Sequence, residues 1–320
     1  MQGLVKGAVP YTSPLRNKMM TFRGRRNRKN RWIPLCERLD RPVIEASGLP
    51  RPDADGIDAR RERSGMDERR TPQEEAQSAS GRAAIVVWRL RTGHGEANVR
   101  SLRPLLSHDE RQRADRLRVP AARARFIVTR ATLRLLLADR TGIGPSALRL
   151  VSSPEGKPSL HHDDGLLPFF SVSHAGDMAL IALSDAGCVG VDVEQIRDVR
   201  RLERIAARLF DRSTCRLLDS LAPVERQNAF LHAWTQREAF VKAVGGRLFG
   251  TDDPLTFRWP RQALAVQPGR GNTRWTVAPL EPGAGYAATV VAAGVAGTVS
   301  VLDIEPGTLA AGPGTDRRSM

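Results

Sequence analysis

Lysine is scarce in this chain. Lys and Arg together number 50 against 35 Asp and Glu, yet only five lysines occur, at positions 6, 18, 29, 157 and 242. Two of them, Lys157 and Lys242, lie far from the basic amino-terminal region. An ammonium is a compact charge that can adapt to a phosphate or carboxylate, whereas a guanidinium is a rigid planar fork. Lys157 and Lys242 are therefore candidate ligand contacts, with chance placement as the alternative.

Cysteines and long apolar runs are also few. The three cysteines, Cys36, Cys188 and Cys215, are widely separated and odd in number, which argues against a disulfide framework and fits a reducing compartment. No apolar run approaches the roughly eighteen residues that indicate a membrane span. The first residues also lack the pattern of a signal peptide. We therefore expect a cytoplasmic protein that does not enter the membrane.

Charge and apolar periodicity indicate where the ordered chain lies. Residues 1–82 are strongly basic at the start and show little periodicity, so we expect a disordered basic extension that activity does not need. Such a run could contact nucleic acid, but no interleaved aromatic pattern accompanies it, and we expect no nucleic-acid partner. Residues 303–320 are rich in Gly and Pro and are expected to form a disordered tail.

Between these ends the periodicity predicts strands and helices in a repeated order. Predicted strands cover residues 83–90, 146–152, 169–173, 178–183, 190–196, 255–260, 274–279, 286–292 and 298–302. Predicted helices begin at Ser107, Pro120, the region 199–221 and Val224. The succession of strand, helices and strands occurs twice, which predicts an α/β fold.

Two carboxylates lie two residues apart in an apolar segment. Val191 and Val193 alternate with Asp192 and Glu194, and on a β-strand this pattern places both carboxylates on one face. Two carboxylates held about 4 Å apart near a surface repel by roughly 4 kcal/mol. A positive group is therefore expected between them, and a divalent metal ion is the natural candidate.

A third carboxylate falls on the predicted helix that begins at Val224. Glu238 lies in the same helical arc as the apolar residues, and Lys242 is one turn away on its side of the helix. A buried glutamate is rare unless it is paired or binds a metal ion. Asp192, Glu194 and Glu238 thus form an oxygen-ligand set that suits Mg²⁺.

Four segments, taken in order, resemble the motifs of one enzyme family. They are residues 156–158 (Gly-Lys-Pro), 170–174 (Phe-Ser-Val-Ser-His), 190–194 (Gly-Val-Asp-Val-Glu) and 234–242 (Trp-Thr-Gln-Arg-Glu-Ala-Phe-Val-Lys). Together they resemble the signature of the 4′-phosphopantetheinyl transferases of the surfactin-synthetase-activating type. Four segments in one order are more specific than any single motif. Arg237 departs from the family, where Lys is usual, and it keeps the charge but changes its reach.

The resemblance implies a particular α/β (α+β) architecture. Two similar halves are related by a pseudo-twofold arrangement in one chain, and coenzyme A is held at the boundary between them. On this division residues 83–186 form the amino-terminal half and residues 187–302 the carboxy-terminal half. This layout also implies a monomer.

The resemblance further implies an activity. The 4′-phosphopantetheine arm of coenzyme A would be transferred to a serine of an apo carrier protein, with release of adenosine 3′,5′-bisphosphate. Acyl, polyketide and peptidyl carrier proteins of fatty acid, polyketide and nonribosomal peptide biosynthesis all fit as partners. Because such carriers are acidic helical bundles, the basic excess of this chain would favour their encounter.

The resemblance assigns roles to the motif residues as well. Mg²⁺ on the three carboxylates would bind the pyrophosphate of coenzyme A and stabilise the developing charge. The candidate catalytic residues are Glu238, Lys242 and Asp192, with Glu238 as the base. The candidate contacts to coenzyme A are Arg125, Arg130, Lys157, Ser173, His174 and Lys242.

Other interpretations stay open. Arg125 and Arg130 share a predicted helix with further arginines and could form a solvated charged face, and a lone histidine such as His174 is often structural. The whole chain could be an inactive relative that binds a carrier protein or nucleotide without transfer. A basic nucleic-acid-binding protein would explain the net charge but not three convergent carboxylates.

Overall fold

The computed structural model describes most of the chain from residue 84 onward. The described ranges are residues 84–93, 96–153, 156–161, 168–185, 187–246, 255–260, 265–268, 273–294 and 298–305. The predicted basic extension lies outside these ranges, as do residues 306–320 of the predicted tail. Where the chain is described, strands form two four-stranded sheets and one hairpin with helices packed on them, which confirms the predicted α/β class.

The described strands and helices follow one another as numbered here. The strands are β1 (Ala84–Arg91), β2 (Leu150–Ser152), β3 (Pro158–Leu160), β4 (Phe169–Ala175), β5 (Met178–Ser184), β6 (Val189–Gln195), β7 (Ala265–Pro268), β8 (Arg274–Leu280), β9 (Tyr286–Ala293) and β10 (Thr298–Asp303). The α-helices are α1 (Glu96–Leu102), α2 (His108–Asp115), α3 (Pro120–Thr141), α4 (Leu202–Leu209), α5 (Arg212–Asp219) and α6 (Pro223–Val244). None of these helices is long and apolar enough to cross a membrane.

The first sheet has the strand order β10, β1, β5, β4. β4 and β5 form the predicted hairpin, which turns at Gly176, where a φ of 56° suits glycine. β10 pairs in parallel with β1, although the sequence-based division groups residues 298–302 with the second half. Asp303 is the last residue of β10 and Ile304 is buried, so the described fold extends beyond residue 302.

The second sheet has the order β6, β9, β8, β7 and is antiparallel throughout. The strand predicted at residues 255–260 is wrong, because these residues have no regular secondary structure and the fourth strand of the sheet is β7. The backbone nitrogen of Pro260 has no hydrogen and cannot donate a hydrogen bond to a neighbouring strand, so the apolar pattern around it wrongly predicted a strand.

Helix signals in the sequence are confirmed around the first sheet. Ser107 caps α2 through a capping box with Glu110, and Pro120 occupies the first turn of α3. Gly142, which adopts a left-handed conformation, caps the carboxy terminus of α3. The predicted helical region 199–221 consists of the two helices α4 and α5.

Two apolar layers hold the sheets together and fix which way β6 faces. One face of the first sheet packs on α3, and its other face packs against the second sheet. The second layer includes Ile85, Val87, Leu180, Ala182, Val191, Val193 and Val290. Because Val191 and Val193 face the first sheet, Asp192 and Glu194 lie on the opposite face of β6.

The opposite face of β6 is covered directly by α6. A Cβ atom at Gly190 would lie 1.9 Å from the carbonyl oxygen of Ala239 and 2.5 Å from the amide nitrogen of Ala243. Only a residue without a side chain allows this approach. The helix that carries Glu238 and Lys242 therefore lies on the strand that carries the two carboxylates.

Candidate functional site

Three side chains from three elements form a compact hydrogen-bonded triangle. Lys242 Nζ lies 2.7 Å from Asp192 Oδ1, Ser173 Oγ lies 2.8 Å from the same oxygen, and the Lys242 and Ser173 atoms are 2.9 Å apart. Asp192 is fully buried, and the Lys242 side chain is about one quarter exposed at 24%. A buried carboxylate needs a charged or hydrogen-bonding partner, and this triangle supplies both.

The triangle lies where β4 and β6 run side by side, a region called the seam below. Each of these strands is at an edge of its own sheet. In the seam the amide nitrogens of Val191 and Val193 donate to the hydroxyls of Ser171 and Ser173, at 3.1 and 3.3 Å. Serine hydroxyls of β4 therefore take the place that a neighbouring strand's carbonyls would occupy along β6.

The two lysines singled out by their rarity both reach carbonyl groups of β6. Lys242 Nζ donates to Val191 O at 3.0 Å, and Lys157 Nζ contacts Val189 O at 3.4 Å. Lys157 Nζ also donates to Ala243 O in the last turn of α6, at 3.1 Å. Cations are favourable at a helix carboxy terminus, so Lys157 helps fix α6 against β6.

The other two predicted metal ligands are buried near the triangle. Glu194 and Glu238 are 3% and 6% exposed. Glu238 lies on α6 between Lys242, which contacts Asp192, and Thr235, whose hydroxyl is 3.0 Å from that of Thr289. Thr289 of β9 is the antiparallel partner of Asp192 on the neighbouring strand β6. Glu238 therefore lies on the stretch of α6 that spans Asp192.

The predicted carboxylates do not form a closed metal cage in this structure. Within the described ranges, no group of three or more His, Cys, Asp or Glu is arranged so that it could hold a metal ion. The chemical type of the predicted ligands suits Mg²⁺, because Asp192, Glu194 and Glu238 are all buried carboxylates and hard cations prefer carboxylate oxygens. Mg²⁺ binding here stays a prediction.

Ser173 and His174, adjacent in the predicted motif, face opposite sides of β4. Ser173 points into the seam, whereas His174 is exposed. Arg125 reaches the same end of β4 from α3, where its Nη1 donates to Gly176 O at 2.6 Å. Among the predicted coenzyme A contacts, His174 thus lies on the side of β4 away from the triangle, and Arg125 contacts the turn that follows β4.

Arg130 already has an acidic partner. Its Nε lies 3.5 Å from Glu110 Oε1, while Arg134, which is 1% exposed, donates to Glu110 Oε2 at 2.6 Å. Burial lowers the pKa of Arg130. The nearby negative charge of Glu110 opposes this lowering, whereas the positive charges of Arg113 and Arg134 lower the pKa further. A phosphate contact by Arg130 stays a prediction, and its guanidinium would be shared with Glu110.

A second cluster, missed from the sequence, ties the two sheets together. Tyr286 of β9 donates its hydroxyl to Asp177 Oδ1 at 2.5 Å, and Arg91 of β1 contacts the same carboxylate at 3.1 Å. The Tyr286 hydrogen bond and the Arg91 charge lower the pKa of Asp177, and burial together with Asp177 raises that of Tyr286. No sequence signal links these three residues. Ser171, which was also missed, could have been predicted to face β6 from its two-residue spacing to Ser173.

The geometry defines an α/β protein with a buried carboxylate, lysine and serine cluster where two sheets meet. Residues 188–291, which include Asp192, Glu194, Glu238 and Lys242, match the 4′-phosphopantetheinyl transferase superfamily. The chain is 31% identical over 213 residues to the 4′-phosphopantetheinyl transferase HetI of Nostoc sp., covering 66% of this chain and 88% of that protein. The chain therefore belongs to the 4′-phosphopantetheinyl transferase superfamily.

Two further relatives are more partial. The putative 4′-phosphopantetheinyl transferase slr0495 of Synechocystis sp. is 36% identical over 146 residues, which are 46% of this chain and 59% of that protein. The 4′-phosphopantetheinyl transferase psf-1 of Bacillus pumilus is 29% identical over 163 residues, or 51% of this chain and 67% of that protein. The predicted family is confirmed, and the assignment to the surfactin-synthetase-activating type stays a prediction.

Proposed function

We propose that this protein transfers the 4′-phosphopantetheine group from coenzyme A to a serine hydroxyl of an apo carrier protein and releases adenosine 3′,5′-bisphosphate. Membership of the superfamily supports the transfer reaction. The observation that carries the proposal is the buried Asp192 carboxylate, held by Lys242 and Ser173 where the two sheets meet. A buried carboxylate with a specific charged partner is a candidate functional site.

Asp192, Glu194 and Glu238 would hold Mg²⁺, in keeping with their burial and oxygen chemistry. When bound, Mg²⁺ neutralises charge on the pyrophosphate of coenzyme A. The donor set contains no cysteine or histidine, which separates it from the usual zinc sites.

The reaction exchanges one phosphorus–oxygen bond for another. The oxygen of the carrier serine attacks the phosphorus that bears the pantetheine arm, and the bond from that phosphorus to the bridging anhydride oxygen breaks. The serine proton passes to a carboxylate, for which Glu238 is the proposed base. The leaving group departs as adenosine 3′,5′-bisphosphate. Positioning and electrostatics supply most of the rate enhancement in such transfers.

Basic residues on or near α3, β4 and the end of α6 would hold the phosphates of coenzyme A. Arg125 and His174 lie at one end of β4, Arg130 lies further along α3, and Lys157 lies at the end of α6. Bidentate contacts from arginine suit phosphate oxygens. The acceptor would be an acidic carrier domain, which the basic excess of residues 83–302 would attract. We propose that the enzyme acts as a cytoplasmic monomer.

The direct test is mass spectrometry of a carrier protein. The purified chain, coenzyme A, Mg²⁺ and an apo acyl, polyketide or peptidyl carrier are expected to yield a carrier heavier by one phosphopantetheine. Asp192→Ala is expected to abolish this mass shift. Asp185→Ala, at an ion-paired surface residue whose side chain is 66% exposed, is the control and is expected to retain it. Carrier binding without any mass shift for all three carrier types would instead support the inactive relative.

A further inference from the structure

The turn between β4 and β5 is tied to the end of β1. It consists of Gly176 and Asp177 and is called the hairpin turn below. Thr92, the residue after β1, donates to Asp177 O from its backbone nitrogen at 2.7 Å and from its hydroxyl at 3.0 Å. Arg91 contacts the Asp177 carboxylate at 3.1 Å. The end of β1 therefore holds both the backbone and the side chain of Asp177.

The second sheet contacts the same turn through Tyr286. Its hydroxyl donates to Asp177 Oδ1 at 2.5 Å, a distance typical of a hydrogen bond to an ionised carboxylate. This bond is the largest of the effects that lower the pKa of Asp177, so the carboxylate is ionised at neutral pH. A Cβ atom at Gly176 would lie 2.7 Å from the Tyr286 hydroxyl oxygen and 3.4 Å from Gln195 Oε1. The phenol of Tyr286 therefore lies directly against the hairpin turn.

The hairpin turn also contacts α3, through the carbonyl group of Gly176. Gly176 O accepts from Arg125 Nη1 at 2.6 Å. Because a glycine backbone is less restricted than any other, the direction of this carbonyl depends on the groups that hold the turn. A guanidinium carries five N–H groups in a rigid fork. The bond to Gly176 O thus directs the fork and leaves N–H groups for the oxygens of a phosphate.

We propose that Tyr286 and Asp177 are positioning residues for coenzyme A, which hold the hairpin turn so that Gly176 O directs the Arg125 guanidinium toward a phosphate of that substrate. The inference rests on the proposed function, because Arg125 is taken there as a phosphate contact. It adds that the second sheet, through Tyr286, contributes to the binding of coenzyme A at α3.

The physical reason is the flexibility of an arginine side chain. A contact to phosphate loses affinity when a side chain with many rotamers must be ordered on binding. The bond to Gly176 O orders the Arg125 guanidinium beforehand, provided that the hairpin turn is itself held. Loss of the Tyr286 hydroxyl loosens the turn and leaves the chemistry of Arg125 unchanged. The expected effect is therefore weaker binding of coenzyme A and not a slower chemical step.

The chain offers a matched control in the pair of Arg89 and Asp303. Arg89 lies two residues before Arg91 on β1, and its Nε donates to Asp303 Oδ1 at 2.5 Å. Arg89 Nη1 also donates to Glu281 O at 3.0 Å, just after β8 of the second sheet. This pair likewise ties β1 to the chain around it, but it includes no residue of the hairpin turn. A comparison of Tyr286→Phe with Asp303→Asn thus separates the positioning of Arg125 from a general tie between strands.

The test measures the binding of coenzyme A to the full chain by isothermal titration calorimetry with Mg²⁺ present. Tyr286→Phe is expected to raise the Kd for coenzyme A about fivefold, and Asp303→Asn to leave it within about twofold. In steady-state transfer to an apo carrier, Tyr286→Phe is expected to raise the KM for coenzyme A by a similar factor and to leave kcat within about twofold. Thermal unfolding of each variant checks that it is folded at the assay temperature.

A double-mutant cycle shows whether the effect passes through Arg125. Arg125→Ala alone is expected to raise the Kd for coenzyme A about tenfold. Adding Tyr286→Phe is then expected to change the Kd by no more than about twofold, because the hairpin turn has no guanidinium left to direct. An effect of Tyr286→Phe that is as large in the Arg125→Ala background as in the wild type would overturn the inference, since Tyr286 would then act by another route.

Other results would also contradict the positioning role. They are an unchanged Kd in Tyr286→Phe, and equal rises of the Kd in Tyr286→Phe and Asp303→Asn, which would show a loss of general stability alone. Should Tyr286→Phe fail to fold, Asp177→Asn takes its place, because it keeps an acceptor for the Tyr286 hydroxyl but loses the charge. Asp177→Asn is expected to raise the Kd about threefold, and an unchanged Kd would again contradict the inference.

The same measurements separate this inference from the proposed function. A wild type that binds coenzyme A but modifies no carrier contradicts the transfer activity, while the double-mutant cycle still tests the positioning of Arg125. An active wild type whose Tyr286→Phe variant binds coenzyme A equally well contradicts the positioning alone. A wild type that binds no coenzyme A contradicts both.

Discussion

Gly190 of β6 lies directly beneath Ala239 of α6. A Cβ atom on Gly190 would be 1.9 Å from the Ala239 carbonyl oxygen, a distance that no real side chain adopts. This close approach brings the helix backbone onto the strand, and it lets Lys242 span only a short distance to Asp192. The candidate site thus depends on a residue that has no side chain.

The first prediction concerns this contact. Gly190→Ala is expected to lower the free energy of unfolding by about 3 kcal/mol, because the added methyl group forces α6 away from β6. Urea denaturation followed by circular dichroism measures the change. Gly144→Ala is the control, since a Cβ there meets no atom within 4 Å, and its effect is expected to stay within about 1 kcal/mol. Equal effects of the two substitutions would contradict the packing argument.

The second prediction concerns the ion pair in the triangle. Lys242→Met leaves the buried carboxylate of Asp192 without its cation, and it is expected to destabilise the fold by about 3 kcal/mol. Adding Asp192→Asn removes the uncompensated charge and is expected to restore part of the loss. A double-mutant cycle by chemical denaturation measures this coupling. Strictly additive losses would show that the two residues do not interact energetically.

The third prediction concerns the pH dependence of the Tyr286 and Asp177 pair. The pKa of Asp177 is lowered, so its contribution to stability is present above the ordinary carboxyl pKa and is lost as the pH falls through the lowered value. The pKa of Tyr286 is raised, so its contribution is present below the ordinary phenol pKa of about 10 and is lost as the pH rises through the raised value. The stabilisation is therefore expected to disappear at both ends of the pH range.

Thermal unfolding of the wild type and of Tyr286→Phe across the pH range measures this effect. The difference in Tm is expected to be largest near neutral pH and to shrink in acid. In an Asp177→Asn background the same substitution is expected to show no change at the acid end. A Tm difference that is constant with pH in the wild-type background would rule out the hydrogen bond as its source.

The fourth prediction concerns the phosphates of coenzyme A. Arg125→Ala is expected to raise the KM for coenzyme A about tenfold with little change in kcat, because a charge-assisted hydrogen bond contributes roughly 1.5–3 kcal/mol. Arg123→Ala is the control, since Arg123 lies two residues before Arg125 at the start of α3 and donates to Leu117 O. A similar KM for both variants would assign Arg125 to holding the turn at Gly176 alone.

The sequence predicted the components of the site better than their contacts. Alternation in residues 190–194 and helical spacing around Glu238 are local signals, and the three carboxylates that they singled out are all buried. The sequence motif grouped Ser173 with His174, although adjacent side chains of a β-strand point to opposite faces of the sheet. The contacts of Lys242 depend on acceptors in two other segments, β4 and β6, which no local pattern encodes.

Long-range contacts explain the remaining differences. Tyr286 meets Asp177 across 109 positions of the chain, and Arg89 meets Asp303 across 214. Such pairs form because of how the strands are arranged in space, and the neighbouring residues in the sequence do not indicate them. The strand predicted at residues 255–260 failed for a related reason, because an apolar run with Pro260 can be buried without joining a sheet.

The position of β10 has a consequence for synthesis on the ribosome. β1 is among the first described segments to emerge, yet its parallel neighbour is the last strand of the described fold, and Arg89 and Asp303 join the two. Domains generally fold as units during translation. Here one side of β1 stays unpaired until Asp303 has been made, so the first sheet can be completed only after all other described strands have been synthesised.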